Sequence, residues 1–260
     1  MTVTRAPDTR PRKPALERAT AMRLAATEYQ RLLELLASLG PSDWTIATEC
    51  PGWDVHAMAS HALGMAEMAA SVRESMRQQR AATRRGGVFL DALTGLQVEE
   101  HADLTAQAIV ARFERVAPKA VRGRRRAPGF VRRRTMPQPQ TVGDHEEKWT
   151  FGYLLDVILT RDPWMHRIDI SRATGAPHVL TADHDGVLVH DVVQEWALRH
   201  GRPFTLRLTG PAGGYWSIGT GGPDVELDAV EFCRILSGRG DGLSCTGPLS
   251  TTLLTTAVPF

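Results

Sequence analysis

The sequence predicts an α+β protein in which a four-helix domain is followed by a smaller α/β unit. Long segments with apolar residues at helical spacing fill the first two thirds of the chain, and short alternating segments bounded by Gly and Pro follow residue 177. The composition, 42% hydrophobic and 23% charged over 260 residues, is that of a globular protein. We therefore predict a polar, flexible tail at residues 1–14, a helical domain at 15–176 and an α/β domain at 177–260.

The first two predicted helices flank the turn TECPGWD. Residues 15–39 carry one apolar stripe, which Gly40-Pro41 ends. Asp54 is a typical helix N-cap, and the apolar spacing after it predicts a second helix that continues to about Arg77.

Two further helices complete the predicted bundle. The third runs from Leu96 to Val116 and ends before Pro118, after which residues 118–143, with four prolines and three glycines among the arginines, predict a long loop. The fourth runs from Glu146 to Ala173, with a kink at Pro163, because proline cannot donate to the carbonyl four residues earlier.

The segment after residue 177 has a mixed pattern. A helix is predicted from Ala182 to His200, and it is followed by three short strands in FTLRLTG, GYWSIGTG and DVELD. The segment AVEFCRILSGR then predicts a last helix.

Composition excludes several classes of protein. No apolar run reaches 18 residues and the N-terminus has no apolar signal region, so we expect a cytoplasmic protein without a membrane span. The three cysteines form no CxxC pair, so any metal must be held by His and carboxylate. Eight basic residues lie between Pro118 and Arg134 with no acidic one among them, which leaves the rest of the chain net acidic. Such local basicity does not favour nucleic acid as a partner.

Three residues form a candidate metal site. His61 lies on the apolar stripe of the second helix, and Asp162 and His166 are four residues apart on one face of the fourth. Ligands that project inward from several helices are how helix bundles hold metals, and three ligands leave a divalent ion with an open position. Each histidine alone is more often a hydrogen-bonded core residue. If Asp162 instead caps a broken helix at Pro163, Asp169 is the alternative carboxylate, as a ligand or as a partner of the imidazole.

Other catalytic signals are weak. The chain has no serine-hydrolase elbow, P-loop or dinucleotide fingerprint. Cys50 lies shortly before a helix N-terminus, where a thiol pKa falls, but the sequence places no His or Lys beside it, so a cysteine nucleophile is the less favoured reading.

Four segments, in order, carry a resemblance over nearly the whole chain. These are the Leu-rich end of the first helix, TECPGWDVHAMASHALG, GYLLDVILTRDPWMHRIDISRATG and the ending DAVEFCRILSGR…LLTTAVPF. Together they resemble the mycothiol-dependent maleylpyruvate isomerase family, and the combination of CPGW with RDxWMHRxD is the specific part.

The resemblance implies a DinB-like four-helix bundle that holds a divalent metal, usually zinc, followed by a small α/β domain. The family's ligands fall on His61, Asp162 and His166, although Asp162 stands where the best-known isomerases have Glu. A substrate-contacting arginine in the C-terminal domain falls on Arg239, with Arg234 the weaker alternative.

The implied function is metal-dependent chemistry with mycothiol on a small unsaturated or carboxylate-bearing substrate, giving isomerisation or thiol transfer; hydrolysis by metal-bound water is a further option at such a site. The main rival is a metal-free or degenerate bundle that binds a small molecule or a protein. Binding of nucleic acid through the basic segment is the third reading.

Overall fold

Four long helices form the predicted bundle in the computed structural model, which describes residues 10–240 and 253–260. They are α1 (Arg18–Ser38), α2 (Val55–Ala70), α5 (Ala106–Arg126) and α8 (Leu159–Thr174). Helices α1 and α2 each pack against both α5 and α8, which closes the bundle. Apolar side chains fill its centre, among them Leu32, Met58, Phe113 and Ile170, all fully buried. At Gly123 a Cβ atom would lie 2.2 Å from the carbonyl oxygen of Ala69, so glycine allows the close approach of α5 to α2.

The second predicted helix is two helices in the structure. Helix α2 ends at Ala70, Ser71 is extended, and α3 runs over Val72–Arg85. The Ser71 hydroxyl accepts the Glu74 N–H and so caps α3, a break that apolar spacing alone does not reveal.

The predicted third helix, Leu96 to Val116, is wrong. Helix α4 covers Phe89–Glu100, and α5 begins only after Thr105, whose hydroxyl accepts from the Ala108 N–H. Pro118 lies inside α5, so the proline does not end that helix. The preceding turns of α5 and its packing against α1 and α2 outweigh the single hydrogen bond that proline removes.

The predicted long loop at residues 118–143 is also wrong, because the segment contains three regular elements. Its first part completes α5, α6 spans Gly129–Arg132, and β1 (Gln140–Val142) pairs antiparallel with β2 (His145–Glu147). Two of its arginines are buried and make specific contacts: Arg124 with backbone carbonyls of residues 155 and 159, and Arg132 with Asp156.

The predicted fourth helix begins later than expected. Residues 145–147 form β2, and the helical part consists of α7 (Phe151–Tyr153), a π-helical segment (Leu154–Ile158) and α8. Pro163 lies within α8 as predicted, and the carbonyl that it leaves without a donor, that of Leu159, accepts from Arg124 Nη1 at 2.9 Å. The predicted end is confirmed, since Gly175 follows Thr174 with a left-handed backbone, φ 72°.

The C-terminal elements agree with the prediction. Helix α9 starts slightly later than expected, and three strands and α10 follow: α9 Asp185–His200, β3 Phe204–Thr209, β4 Gly214–Ile218, β5 Asp224–Asp228 and α10 Ala229–Leu236. Strand β3 is central, antiparallel to β4 and parallel to β5. The fold is thus α+β, a helix bundle followed by a small α/β unit, as predicted.

Apolar and charged contacts join the two parts. Trp164 and Ile168 of α8 share a buried cluster with Trp196 of α9 and Leu206 of β3.

The predicted division near residue 176 stays a prediction. Residues 1–9 of the predicted tail and residues 241–252 of the predicted α/β domain lie outside the described part. Within the rest of the tail, Arg12 forms a parallel bridge with Trp149. No helix in the described part of the chain has the length and apolar character needed to span a bilayer.

Candidate metal centre

The structure brings His61 of α2 together with Asp162 and His166 of α8. Oδ1 of Asp162 lies 3.3 Å from Nε2 of His61 and 3.3 Å from Nε2 of His166. The two imidazoles meet edge to face, with centroids 5.3 Å apart, and both are nearly fully buried. Their grouping agrees with the prediction, and their role as ligands stays a prediction.

Local structure explains these positions. Asp54 caps α2 by accepting the Ala57 N–H, which fixes the start of the helix that carries His61. Helix α8 is continuous from Leu159, so Asp162 lies inside its first turn and is not an N-cap. The alternative in which Asp162 caps a broken helix is therefore wrong, and its side chain is directed at the two histidines.

A chain of side-chain amides fixes the tautomer of His61. Gln78 Nε2 donates to the Gly64 carbonyl, Gln97 Nε2 donates to Gln78 Oε1, and Gln97 Oε1 therefore accepts from His61 Nδ1 at 2.8 Å. Because Nδ1 carries the proton, the Nε2 atom of His61 presents its lone pair towards Asp162 unless a second proton is bound. A lone pair facing a carboxylate oxygen requires a cation between them, either a proton or a metal ion.

Asp169 supports the second imidazole. His166 Nδ1 lies 3.4 Å from Asp169 Oδ2, which leaves Nε2 directed at Asp162. The fully buried Asp169 is also held by Arg239, whose Nε and Nη2 atoms lie 2.8–2.9 Å from its oxygens. Carboxylate partners of this kind orient histidine ligands and raise their basicity. The arrangement favours Asp169 as the partner of His166 and Asp162 as the ligand.

Charges within this group reinforce one another. Burial raises the pKa of the Asp162 carboxyl, but the two imidazoles, His166 foremost, outweigh it and hold that pKa far below its usual range. Burial lowers the pKa of His166, yet Asp162 and Asp169 raise it well above its ordinary value. Without a metal, His166 thus carries a proton that a metal ion would have to displace.

The turn CPGW places two more side chains at this group. Gly52 has φ 79°, and the Trp53 N–H donates to the Cys50 carbonyl, which closes the turn. The Trp53 ring packs against both imidazoles, with centroids 5.1 Å from His61 and 6.1 Å from His166. Cys50 Sγ lies 3.8 Å from Asp169 and 3.4 Å from Arg239 Nη2.

The two candidate arginines have different surroundings. Arg239 lies beside Asp169 and Cys50, next to the histidines. Arg234 is buried and is bound by Glu231 and Glu49, and its contacts include none of the three candidate ligands. The structure therefore brings Arg239, and not Arg234, to the site, while a contact of Arg239 with substrate stays a prediction.

A cavity of about 290 Å³ adjoins the group. His61, Asp162 and His166 form part of its wall, together with Cys50 and Trp53. Most of the other lining side chains are apolar and come from α2, α4, the 136–154 region and the C-terminal residue, among them Met65, Met68, Leu93, Trp149, Leu154 and Phe260.

The three residues fit a divalent metal. Oδ2 of Asp162 is buried without a hydrogen-bond partner, so this carboxylate has an oxygen free for a ligand. Tetrahedral zinc with bonds of about 2.0–2.1 Å separates its ligand atoms by about 3.4 Å, close to the 3.3 Å found here. Two other groups have ligand atoms close enough to hold an ion: Cys50, His166 and Asp169, and also Glu28, His184 and Asp185. In both, arginines neutralise the carboxylates: Arg239 in the first, and Arg31 and Arg167 in the second.

Sequence reasoning missed Gln97, the cavity and the neighbours of Cys50. Gln97 continues the buried face of α4 that Leu93 and Leu96 define, so an inward polar residue was readable from the spacing. The neighbours of Cys50 come from α8 and from the segment after α10, and no local pattern reveals such contacts.

Comparison with known proteins agrees with this geometry. The sequence profile described as the mycothiol maleylpyruvate isomerase N-terminal domain matches residues 25–171, a range that includes all three candidate ligands. Two crystal structures, of the mycothiol-dependent maleylpyruvate isomerase and of a point mutant of it, superpose with a TM-score of 0.55. They are 15% and 14% identical to this chain, and the alignment covers 86% of it and 90% of theirs. Among curated proteins, none matches. Because the profile covers more than half of the sequence, the chain belongs to the family of the mycothiol maleylpyruvate isomerase N-terminal domain.

Proposed function

We propose that this protein is a metal- and thiol-dependent enzyme that isomerises, or transfers a thiol to, a small unsaturated substrate. The observation that carries the proposal is the Asp162 carboxylate, which lies between two imidazole nitrogens, retains an unpartnered oxygen and faces a cavity. Most buried carboxylate oxygens are hydrogen-bonded, so an unpartnered one beside two imidazoles and a cavity is available to a ligand.

His61, Asp162 and His166 would hold the metal, for which we propose zinc. Three protein ligands would leave one position on the zinc open, and there it would supply a deprotonated thiol as the nucleophile for an activated double bond. The solved relatives are described as mycothiol-dependent, and mycothiol is therefore the thiol that we propose.

The chain's own residues orient and shield this chemistry. Gln97 and Asp169 hold the Nδ1 atoms, so both Nε2 atoms face one point. The Trp53 ring and the apolar cavity wall exclude water from that point. Arg239 lies beside it and would bind an acidic group of the substrate at the metal end, where a planar guanidinium suits a carboxylate.

The test is an isomerisation assay with mycothiol and a panel of cis-configured unsaturated carbonyl compounds, maleylpyruvate among them. We expect conversion only when zinc and the thiol are both present, and a loss of at least about 100-fold in His61→Ala. The matched control is His145→Ala, a histidine with 79% of its side chain exposed. Conversion that needs neither zinc nor thiol, or an active His61→Ala variant, would contradict the proposal.

A further inference from the structure

Away from the metal centre the cavity is lined mainly by apolar side chains, with Gln79, Thr94, Gln138 and Gln140 as uncharged polar ones. Five members of this apolar wall, from α2, α4, the π-helical segment and the chain end, are Met68, Leu90, Leu93, Leu154 and Phe260. The aromatic rings of Trp149 and Phe151 add to it. A substrate that reaches the histidines has to lay its other end against this wall.

No Lys or Arg side chain lines the cavity in the described residues. The only carboxylate there is that of Asp162, and the other polar side chains are neutral amides, a hydroxyl, a thiol and the two imidazoles. Of the two segments outside the described part, residues 241–252 contain neither Lys nor Arg, and residues 1–9 contain a single arginine, Arg5.

The buried arginines near the wall are already bound. Arg124 donates to the carbonyls of Leu155 and Leu159, and Arg132 pairs with Asp156. Arg161 pairs with two acids of α9, Asp191 and Glu195. Freeing any of them for a ligand would leave a buried carboxylate or carbonyl without its partner, which is costly.

Arg239 is at the opposite end. It contacts Asp169 and Cys50 beside the histidines, and it is not part of the cavity wall. One acidic group at the metal end would lie near the charge of Arg239, which stays paired with Asp169, whereas a second one at the far end would be desolvated without a partner.

We infer that the substrate is an α,β-unsaturated carbonyl compound whose end remote from the metal is uncharged and apolar, and not a diacid with a carboxylate at that end. This rests on the proposed function for the reacting group, but the preference for an apolar end depends only on the cavity.

Binding of unreactive analogues tests the preference separately from catalysis. The probes are 4-phenylbutan-2-one and its para-carboxylate, which differ in one charged group at the remote end and lack the reactive double bond. Trp53 and Trp149 line the cavity, so quenching of tryptophan fluorescence in the zinc-loaded protein reports binding. We expect the neutral ketone to bind at least about 30-fold more tightly.

A cation placed at the cavity mouth should reverse the preference. Leu90 lines the cavity and is 49% exposed, so Leu90→Arg is compatible with folding. We expect it to reduce the preference at least about 10-fold by pairing with the carboxylate. Leu198→Arg, at a 69% exposed leucine of α9 outside the cavity, adds the same charge and should leave the preference unchanged.

The reactive compounds 4-phenylbut-3-en-2-one and its para-carboxylate then test, with mycothiol present, whether the same preference governs the reaction with the thiol. The two proposals fail in different ways. If neither compound reacts with the thiol but the neutral analogue binds with the expected preference, the proposed function fails and the inference stands. Carboxylate binding equal to or tighter than that of the neutral compound, or no binding of either, overturns the inference even when thiol chemistry is found.

Discussion

Two carboxylates on α8 have different contacts, and we predict that substitution distinguishes a ligand, Asp162, from a partner of the imidazole, Asp169. We expect Asp162→Ala to abolish high-affinity zinc binding, because its oxygen lies between the two Nε2 atoms. Asp169→Asn removes only the partner of His166 Nδ1 and is expected to weaken zinc about 10- to 100-fold. Competition with a chromogenic chelator measures both affinities. The reverse order of effects would make Asp169 the ligand.

The lowered pKa of His200 predicts how the free energy of unfolding depends on pH. Burial, and secondarily the charge of Arg202, lower the pKa of His200 from 6.5 to about 4, and its Nδ1 accepts the Arg202 N–H, which requires a neutral ring. Between these two pH values the unfolded chain therefore binds more protons than the folded chain. The contribution of His200 to the free energy of unfolding is complete above about pH 6.5 and is lost as the pH falls towards 4.

Urea unfolding of the wild type and of His200→Gln at several pH values checks this contribution. The wild type should lose more stability than the variant between pH 7 and pH 4.5. Parallel profiles would show that His200 does not titrate in this window.

At the scale of elements, Arg124 supports the irregular start of α8. It is fully buried and donates to the carbonyls of Leu155 and Leu159 and to the Thr160 hydroxyl. We expect Arg124→Met to lower the free energy of unfolding by about 2–4 kcal/mol, because two buried carbonyls lose their donor. Chemical denaturation measures it, and Arg125→Met, at an exposed neighbour on the same helix, is the control. Equal effects of the two substitutions would contradict this role.

The elements that the sequence predicts well are those with their own local signals. The apolar stripe of α1, the Asp54 cap of α2 and the Gly175 end of α8 are all confirmed. Of the boundaries missed, the break at Ser71 has a local cause, since Ser71 caps α3 by accepting from the Glu74 N–H, whereas the continuation of α5 through Pro118 depends on packing between helices. Residues 118–126 illustrate the difference, because a basic, proline-containing segment becomes helical when Arg124 reaches carbonyls on another element.

The candidate site was also predictable only in part from the sequence. Helical spacing places His61 on an inward face and Asp162 one turn from His166. The same spacing makes Asp169 a candidate partner of His166 on α8, whereas Gln97 meets His61, and Arg239 meets Asp169, across separate elements. Only the folded chain shows those contacts.

For the whole molecule, shared contacts predict a single unfolding transition. Arg167 of α8 binds Glu28 of α1 and Asp185 of α9, and the buried cluster around Trp196 includes residues of both parts. Tryptophan fluorescence and far-ultraviolet circular dichroism should therefore give coincident denaturation curves. Two separated transitions would instead mean that the bundle and the α/β unit are stable independently.

The central claim is that His61, Asp162 and His166 hold a metal ion. Elemental analysis of protein purified without a metal-binding tag tests it most directly, on wild type, His166→Ala and the exposed-site control His145→Ala. We expect one zinc per chain in the wild type and the control and none in His166→Ala. Absence of metal from the wild type even after zinc is supplied, or full occupancy in His166→Ala, would contradict the claim.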